Sequence, residues 1–276
     1  MKIYRVKDIL NKLENCIENN IPFSHIRFGD GGLKYMAAVL NCDLISLKII
    51  LSKEGLPANS IVEILEMWGY YVRQADFIDS PEVYFNGYFW PRVKTKNKEI
   101  NEGTANKLLR WKDYYDRWEF DNENYCNPES NYLMTLRISK DQKNIIDVMK
   151  DRKVCIITAR PAIKNKLINA GYNVDVVQIV KQYEDQYKRS FKDVVYQIRE
   201  RADKYDFWLV AAGELGRIYS GLIKECGGRT IDIGFVIEFW LNDALHPRLD
   251  LFMKRNPNNN LETVLTAKGK IFKEYI

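Results

Sequence analysis

The sequence predicts an α/β fold: a Rossmann-like parallel sheet flanked by helices, with helical additions between the first strand and the C-terminal βα units. Three observations carry that prediction. Four short apolar runs, 153–159, 174–180, 207–212 and 230–233, have the length and the Val/Ile/Leu content of buried strands. Helix-length amphipathic segments separate them, and crossovers of that kind join parallel strands in a right-handed sense. Pro161, Gly171, Gly213, Gly227 and Gly228 punctuate the joints, where turns and helix ends need them.

Taken in order, Val6, Ile9, Leu10, Leu13, Cys16 and Ile17 recur at helical spacing and predict an opening helix that Pro22 ends. Phe23 to Phe28 follows as the first strand, broken by Gly29-Asp30-Gly31-Gly32. A helix is expected over 33–40. Ser60 and Glu63 have capping-box spacing ahead of a helix over 61–76. An aromatic stretch, 83–90, precedes a Trp- and Tyr-rich helix over 104–118, and 120–132 reads as loop. Ser139 and Gln142 cap a helix to about Lys150. Strand 153–159 then leads to Pro161 at the start of a helix that Gly171 stops. After strand 174–180 come a helix over 190–204, strand 207–212, a helix over 215–226, the Gly227-Gly228 stop and strand 230–233. The economical organisation is one domain over 1–276, comprising an N-terminal motif region (1–138), a regular parallel βα region (139–245) and a tail (246–276).

The bulk properties exclude several classes. At 276 residues and 46% hydrophobic content the chain can bury a full core. No apolar run approaches the roughly 20 residues that span a bilayer, and the charged first residues do not form a signal peptide. A cytoplasmic protein is expected. Five scattered cysteines without CxxC spacing argue against a disulfide framework or a structural zinc site, and two histidines exclude a His-rich metal centre. The net charge of +5 suits an anionic ligand without indicating nucleic acid, and the basic segments 94–98 and 254–273 read as solvated faces.

Open parallel sheets bind ligands beyond the carboxyl ends of their strands. Three loops fall there. In Arg27-Phe28-Gly29-Asp30-Gly31-Gly32 the glycines let backbone amides approach an anion, and Asp30 can hold a divalent metal, bind a sugar hydroxyl or act as a base. A tight turn with Asp30 as a helix cap is the plainer alternative. In Thr158-Ala159-Arg160-Pro161, Arg160 can neutralise a diphosphate or pair with a carboxylate. In Ala211-Ala212-Gly213-Glu214-Leu215-Gly216-Arg217, two of the three glycines of a dinucleotide fingerprint stand at a strand-to-helix bend, which is equally a packing feature. Asp232 on the next strand is either a ribose acceptor or a buried, capped carboxylate.

Together RFGDGG, CIITARP and LVAAGELGRIYSGLIKECGGRTIDIG stand in the order that resembles GT-D-type glycosyltransferases, which carry RFGDGE, an ARP-type strand end and a closing AAGPTG…DIGH segment. The matching motifs span about residues 20–240. The resemblance implies a nucleoside-diphosphate sugar donor, UDP-linked by preference, and a glycan or glycoconjugate acceptor. Its Asp-x-Glu motif implies a divalent ion, Mn or Mg, near Asp30. Gly32 stands where the motif has Glu, Phe235 where the family has His, and Glu214 where it has Pro. On this resemblance Arg27, Gly29, Gly31, Gly32, Arg160, Gly213, Glu214, Gly216, Arg217 and Asp232 surround the donor. Asp30 or Glu238 is the catalytic base, and Asp30 is the metal ligand. Tyr84, Tyr88, Trp90 and Trp111 are candidates for an acceptor platform, with core packing as the plainer role.

Two other classes fit parts of the sequence. Gly213-x-x-Gly216 between a strand and a helix also suits an S-adenosylmethionine- or NAD-binding enzyme. A basic tail containing Phe252, Phe272 and Tyr275 suits a non-catalytic binding protein, and transfer onto modified DNA bases lies between the classes.

Overall fold

In a computed structural model of the chain, the described residues are 2–27, 55–79, 124–126, 134, 143–181, 184–234 and 236–241. The expectations for 28–40, 83–118, 139–142, Phe235 and the tail lie outside them.

Among the described residues eight strands form one sheet: β1 (Lys2–Tyr4), β2 (Phe23–Ile26), β3 (Phe77–Asp79), β4 (Asn124–Cys126), β5 (Lys153–Thr158), β6 (Asn173–Gln178), β7 (Phe207–Ala211) and β8 (Arg229–Asp232). Their order is β1-β4-β3-β2-β8-β7-β5-β6, and every pairing is parallel. Described helices are α1 (Val6–Glu18), α2 (Ile61–Arg73), α3 (Ile145–Met149), α4 (Ile163–Asn169), α5 (Gln186–Arg201), α6 (Gly216–Glu225) and α7 (Val236–Leu241).

Alternation along the strands divides the core between two layers. Cys155 and Ile157 of β5, with Trp208 and Val210 of β7, pack under α2, α5 and α6. Their neighbours Val154, Ile156, Phe207 and Leu209 pack under α1, α3, α4 and α7. A sheet covered on both faces explains why β5 and β7 read as continuous apolar runs rather than alternating ones.

The structure corrects the sequence reading at several elements. β1, β3 and β4 were not anticipated, and Asn124–Cys126 falls inside the segment read as loop. That tripeptide pairs with β1 on one side and β3 on the other, so ladder hydrogen bonds rather than an apolar run define it. α2 forms, but Ser60 makes no capping hydrogen bond through its side chain. The Tyr187 hydroxyl donates to Glu63 at 3.3 Å and is itself hydrogen-bonded by Ser60, so the expected box partners are drawn to a third residue. α3 begins at Ile145, capped by Asn144: its Oδ1 accepts the N–H groups of Ile146 and Asp147, at 2.9 and 3.2 Å, while Asp147 accepts the Asn144 N–H. α5 starts at Gln186, one turn ahead of the predicted Ser190.

Candidate active site at the carboxyl ends of four adjacent strands

β2, β8, β7 and β5 are neighbours, so their carboxyl ends present Arg27, Ile233-Gly234, Ala212-Gly213 and Ala159-Arg160 side by side. The helices that follow β5, β7 and β8 leave for alternate layers: α4 packs in one, α6 in the other, α7 back in the first. Strand ends whose connections diverge in this way open crevices, the usual ligand position in such sheets.

The described candidates divide by exposure. Gly213 is exposed, and Arg27, Arg160, Glu214, Gly234 and Glu238 are half-buried, whereas Gly216, Arg217 and Asp232 are buried. The first group can meet a ligand; the second forms the floor beneath it. Gly29, Asp30, Gly31 and Gly32 lie outside the described residues, so the loop that follows Arg27 is known here only by its first residue.

The floor is a cluster of opposite charges. Asp232, 4% exposed, accepts the Gly234 N–H at 2.9 Å and the backbone N–H of Arg27. Burial raises its carboxyl above the usual range, opposed by the Arg27 and Arg217 guanidinium charges and by those two N–H groups. Arg217, also 4% exposed, donates from Nε to the Arg27 carbonyl oxygen at 2.9 Å, pairs with Glu214, and stacks over the Trp68 ring at 4.9 Å. Its guanidinium is thus occupied in holding β2, α2 and the β7–α6 bend together. Gly216 is a packing glycine: a Cβ there would stand 3.3 Å from Val210 Cγ1 and 3.6 Å from Asp232 Oδ2. Gly213, at φ +55°, makes the bend itself.

Above the floor, Arg160 reaches Glu238 of α7 at 3.4 Å, and its backbone N–H is held by Thr158 Oγ1 at 3.1 Å. Of the two readings of Arg160, this contact is the carboxylate pairing, made at the carboxyl end of β5. Sequence reasoning missed Gly234, although it stands in the IDIG segment; a Cβ at this glycine would overlap Nη1 of Arg27. It also missed Trp68, which carries no signal beyond its helical spacing.

One residue before Arg27, His25 is fully buried, with Nε2 3.4 Å from the Cys126 sulfur, whose thiol donates to the Ile78 carbonyl oxygen at 3.2 Å. Burial, then the Arg27 charge, lowers its pKa to about 3, so it serves as a neutral core residue. Among the described residues no group of three His, Cys, Asp or Glu side chains is placed to hold a metal ion. Asp232 faces two guanidinium groups and Glu238 faces one, so these described carboxylates do not fit an ion.

A family model for the GT-D-like, GT-D fold-like domain matches residues 4–240. Among solved structures, the chain is similar to the selenomethionine-substituted structure of domain of unknown function 1792, with TM-score 0.52 and 11% identity, covering 86% of this chain and 79% of that one. It is also similar to that domain in a structure described as having a distinct glycosyltransferase fold (TM-score 0.50, 12% identity, 86% and 79% covered). A third is described as a new glycosyltransferase from Streptococcus sanguinis (TM-score 0.50, 13% identity, 89% and 87% covered). At these identities the likeness is one of fold. Among curated proteins, none matches the chain.

Proposed function

This chain belongs to the GT-D-like family, and on that premise we propose that it transfers a sugar from a nucleoside-diphosphate sugar, a UDP-sugar, to a hydroxyl of a glycan or glycoconjugate. The observation that carries the reading is that Arg27, Arg160 and the Gly213 bend all stand at the carboxyl ends of four consecutive strands of the sheet. A diphosphate leaving group gains negative charge as the glycosidic bond breaks, and guanidinium groups aimed at it stabilise that charge. Arg27 and Arg160 supply the cations that border the crevice. Arg217, Asp232 and Gly216 act beneath, fixing the backbone that carries Arg27 and the bend.

Glu238 is the base candidate among the described residues. While it pairs with Arg160 its carboxylate is committed; a diphosphate on Arg160 competes for the same guanidinium and releases the carboxylate toward the acceptor hydroxyl. Asp30 is the other base candidate and the residue that would hold a divalent ion, whose contribution would be further neutralisation of the diphosphate. Free thiols at Cys16, Cys126, Cys155 and Cys226, and the absence of a helix long and apolar enough to cross a membrane among the described residues, are in keeping with a cytoplasmic site of action.

The test is transfer and donor hydrolysis over a panel of nucleotide sugars, with and without Mn²⁺, using glycan acceptors and an oligonucleotide bearing hydroxymethylated bases. Arg160→Gln is expected to raise the donor KM by about 10- to 100-fold, the value of one or two charge-assisted hydrogen bonds. Unchanged donor kinetics in Arg160→Gln, or stabilisation by S-adenosylmethionine or NAD but not by UDP, would remove the reading.

A further inference from the structure

Three of the contacts that place Arg27 come from β8, α6 and the β8–α7 turn. Asp232 accepts its backbone N–H, Arg217 donates to its carbonyl oxygen at 2.9 Å, and its guanidinium lies against Gly234. The first two fix the main chain, leaving only side-chain torsions to decide where the guanidinium goes. At Gly234 the guanidinium comes to rest against bare backbone, beside the Asp232 carboxylate that attracts it: a Cβ would overlap Nη1 of Arg27 and stand 2.8 Å from Cζ. The glycine has φ +56°, and its N–H is shared between Asp232 Oδ1 at 2.9 Å and the Val210 carbonyl oxygen at 3.2 Å, so the turn that carries it is anchored to β7 and β8.

We propose that Gly234 is a positioning residue: by presenting no side chain it seats the Arg27 guanidinium on the β8–α7 turn, and that seat sets how Arg27 meets a nucleoside diphosphate. The inference rests on the donor reading above. The atoms a Cβ would displace are the end of a flexible side chain, not backbone, so a methyl group moves the guanidinium while the fold remains. Gly171 and Gly227 supply the control. They have φ of +89° and +84° with nothing within 4 Å of a built Cβ, so alanine there carries left-handed strain alone.

The experiment uses the full chain and UDP as probe, by titration calorimetry. Gly234→Ala is expected to weaken UDP binding by at least about tenfold, Gly171→Ala by less than about twofold, taking a charged hydrogen bond at its usual value. In an Arg27→Ala background, adding Gly234→Ala is expected to cost less than about twofold more, because the residue it acts through is gone. Wild-type affinity in Gly234→Ala, or independent losses in the double variant, overturns the proposal. A ligand-free arm follows phenylglyoxal modification of Arg27 by peptide mass spectrometry. Faster modification in Gly234→Ala than in wild type or Gly171→Ala supports the seat, and equal rates overturn it. A wild-type chain that binds no UDP while Arg27 is still modified faster in Gly234→Ala overturns the donor reading and supports the seat itself.

Discussion

The two halves of the sheet are built on different terms. β5 and β6 pair over six residues, β5, β7 and β8 are buried through their centres, and α4, α5 and α6 join β5 to β6, β6 to β7 and β7 to β8 in turn. β1, β3 and β4 are three-residue strands whose pairings run over two or three positions. Side-chain packing specifies the first half, and its sequence shows it. Neighbouring strands specify these three, so none of them announces itself alone.

The largest expected effect tests that contrast directly. Trp208 of β7 is fully buried, edge-on to Tyr205 at 5.1 Å, with its indole N–H donating to the Ala202 carbonyl oxygen at 3.1 Å. Trp208→Ala is expected to lower the unfolding free energy by about 3–5 kcal/mol in urea titrations. Phe77 of β3 packs on Tyr4 and Phe23, at 5.1 and 5.9 Å, within short strands that can shift toward the gap. Phe77→Ala is expected to cost at least about 1 kcal/mol less than Trp208→Ala. Equal losses would break the contrast.

Next in size is a helix contact between the halves. A Cβ at Gly221 of α6 would overlap Cβ and Cγ of Tyr71 on α2, near the root of that side chain where little can yield. Gly221→Ala is expected to cost about 1–3 kcal/mol by forcing the helices apart. In hydrogen exchange, α2 amides should lose protection while β5 and β6 keep theirs. Uniform loss would mean that the halves do not separate in this way.

Acid sensitivity is expected to lie on the β2 side. His25 is neutral when folded, with a pKa of about 3, but takes up a proton in the unfolded chain below about 6.5. The unfolded state therefore binds more protons between those values, and stability falls as pH drops through that window, levelling off near 3. Between pH 7 and 5 the loss is expected to be about 2 kcal/mol, and His25→Gln should flatten this part of the profile. A profile unchanged by that substitution would assign the slope elsewhere. Smallest is Asn144→Ala at the start of α3, expected to cost about 1 kcal/mol by thermal unfolding, since two N–H groups lose their acceptor.

The strand ends that carry the candidate site were legible in the residues, for a physical reason. Strand ends can be read from apolar runs, and in a parallel sheet they lie along one edge; Arg27, Gly213 and Arg160 follow β2, β7 and β5 on that logic. What could not be read is which polar groups satisfy one another across the chain. Asp232 and Arg217 meet Arg27 through backbone atoms, and backbone partners leave no trace in side-chain identity. The Ser60–Glu63 spacing misled for a related reason: a local motif predicts a local bond, and Tyr187, 124 residues from Glu63, competed for it. Asn124–Cys126 escaped because three residues hold no period to detect.

The position of β8 between β2 and β7 also has a consequence for synthesis. Leaving the ribosome, β2 gains its neighbour β8 only when roughly 200 further residues have been made, a loop of the kind that slows folding. Until then β2 has one open edge, and Arg27 lacks Asp232 and Gly234 alike. The nascent chain thus keeps these strand ends unassembled until β8 arrives.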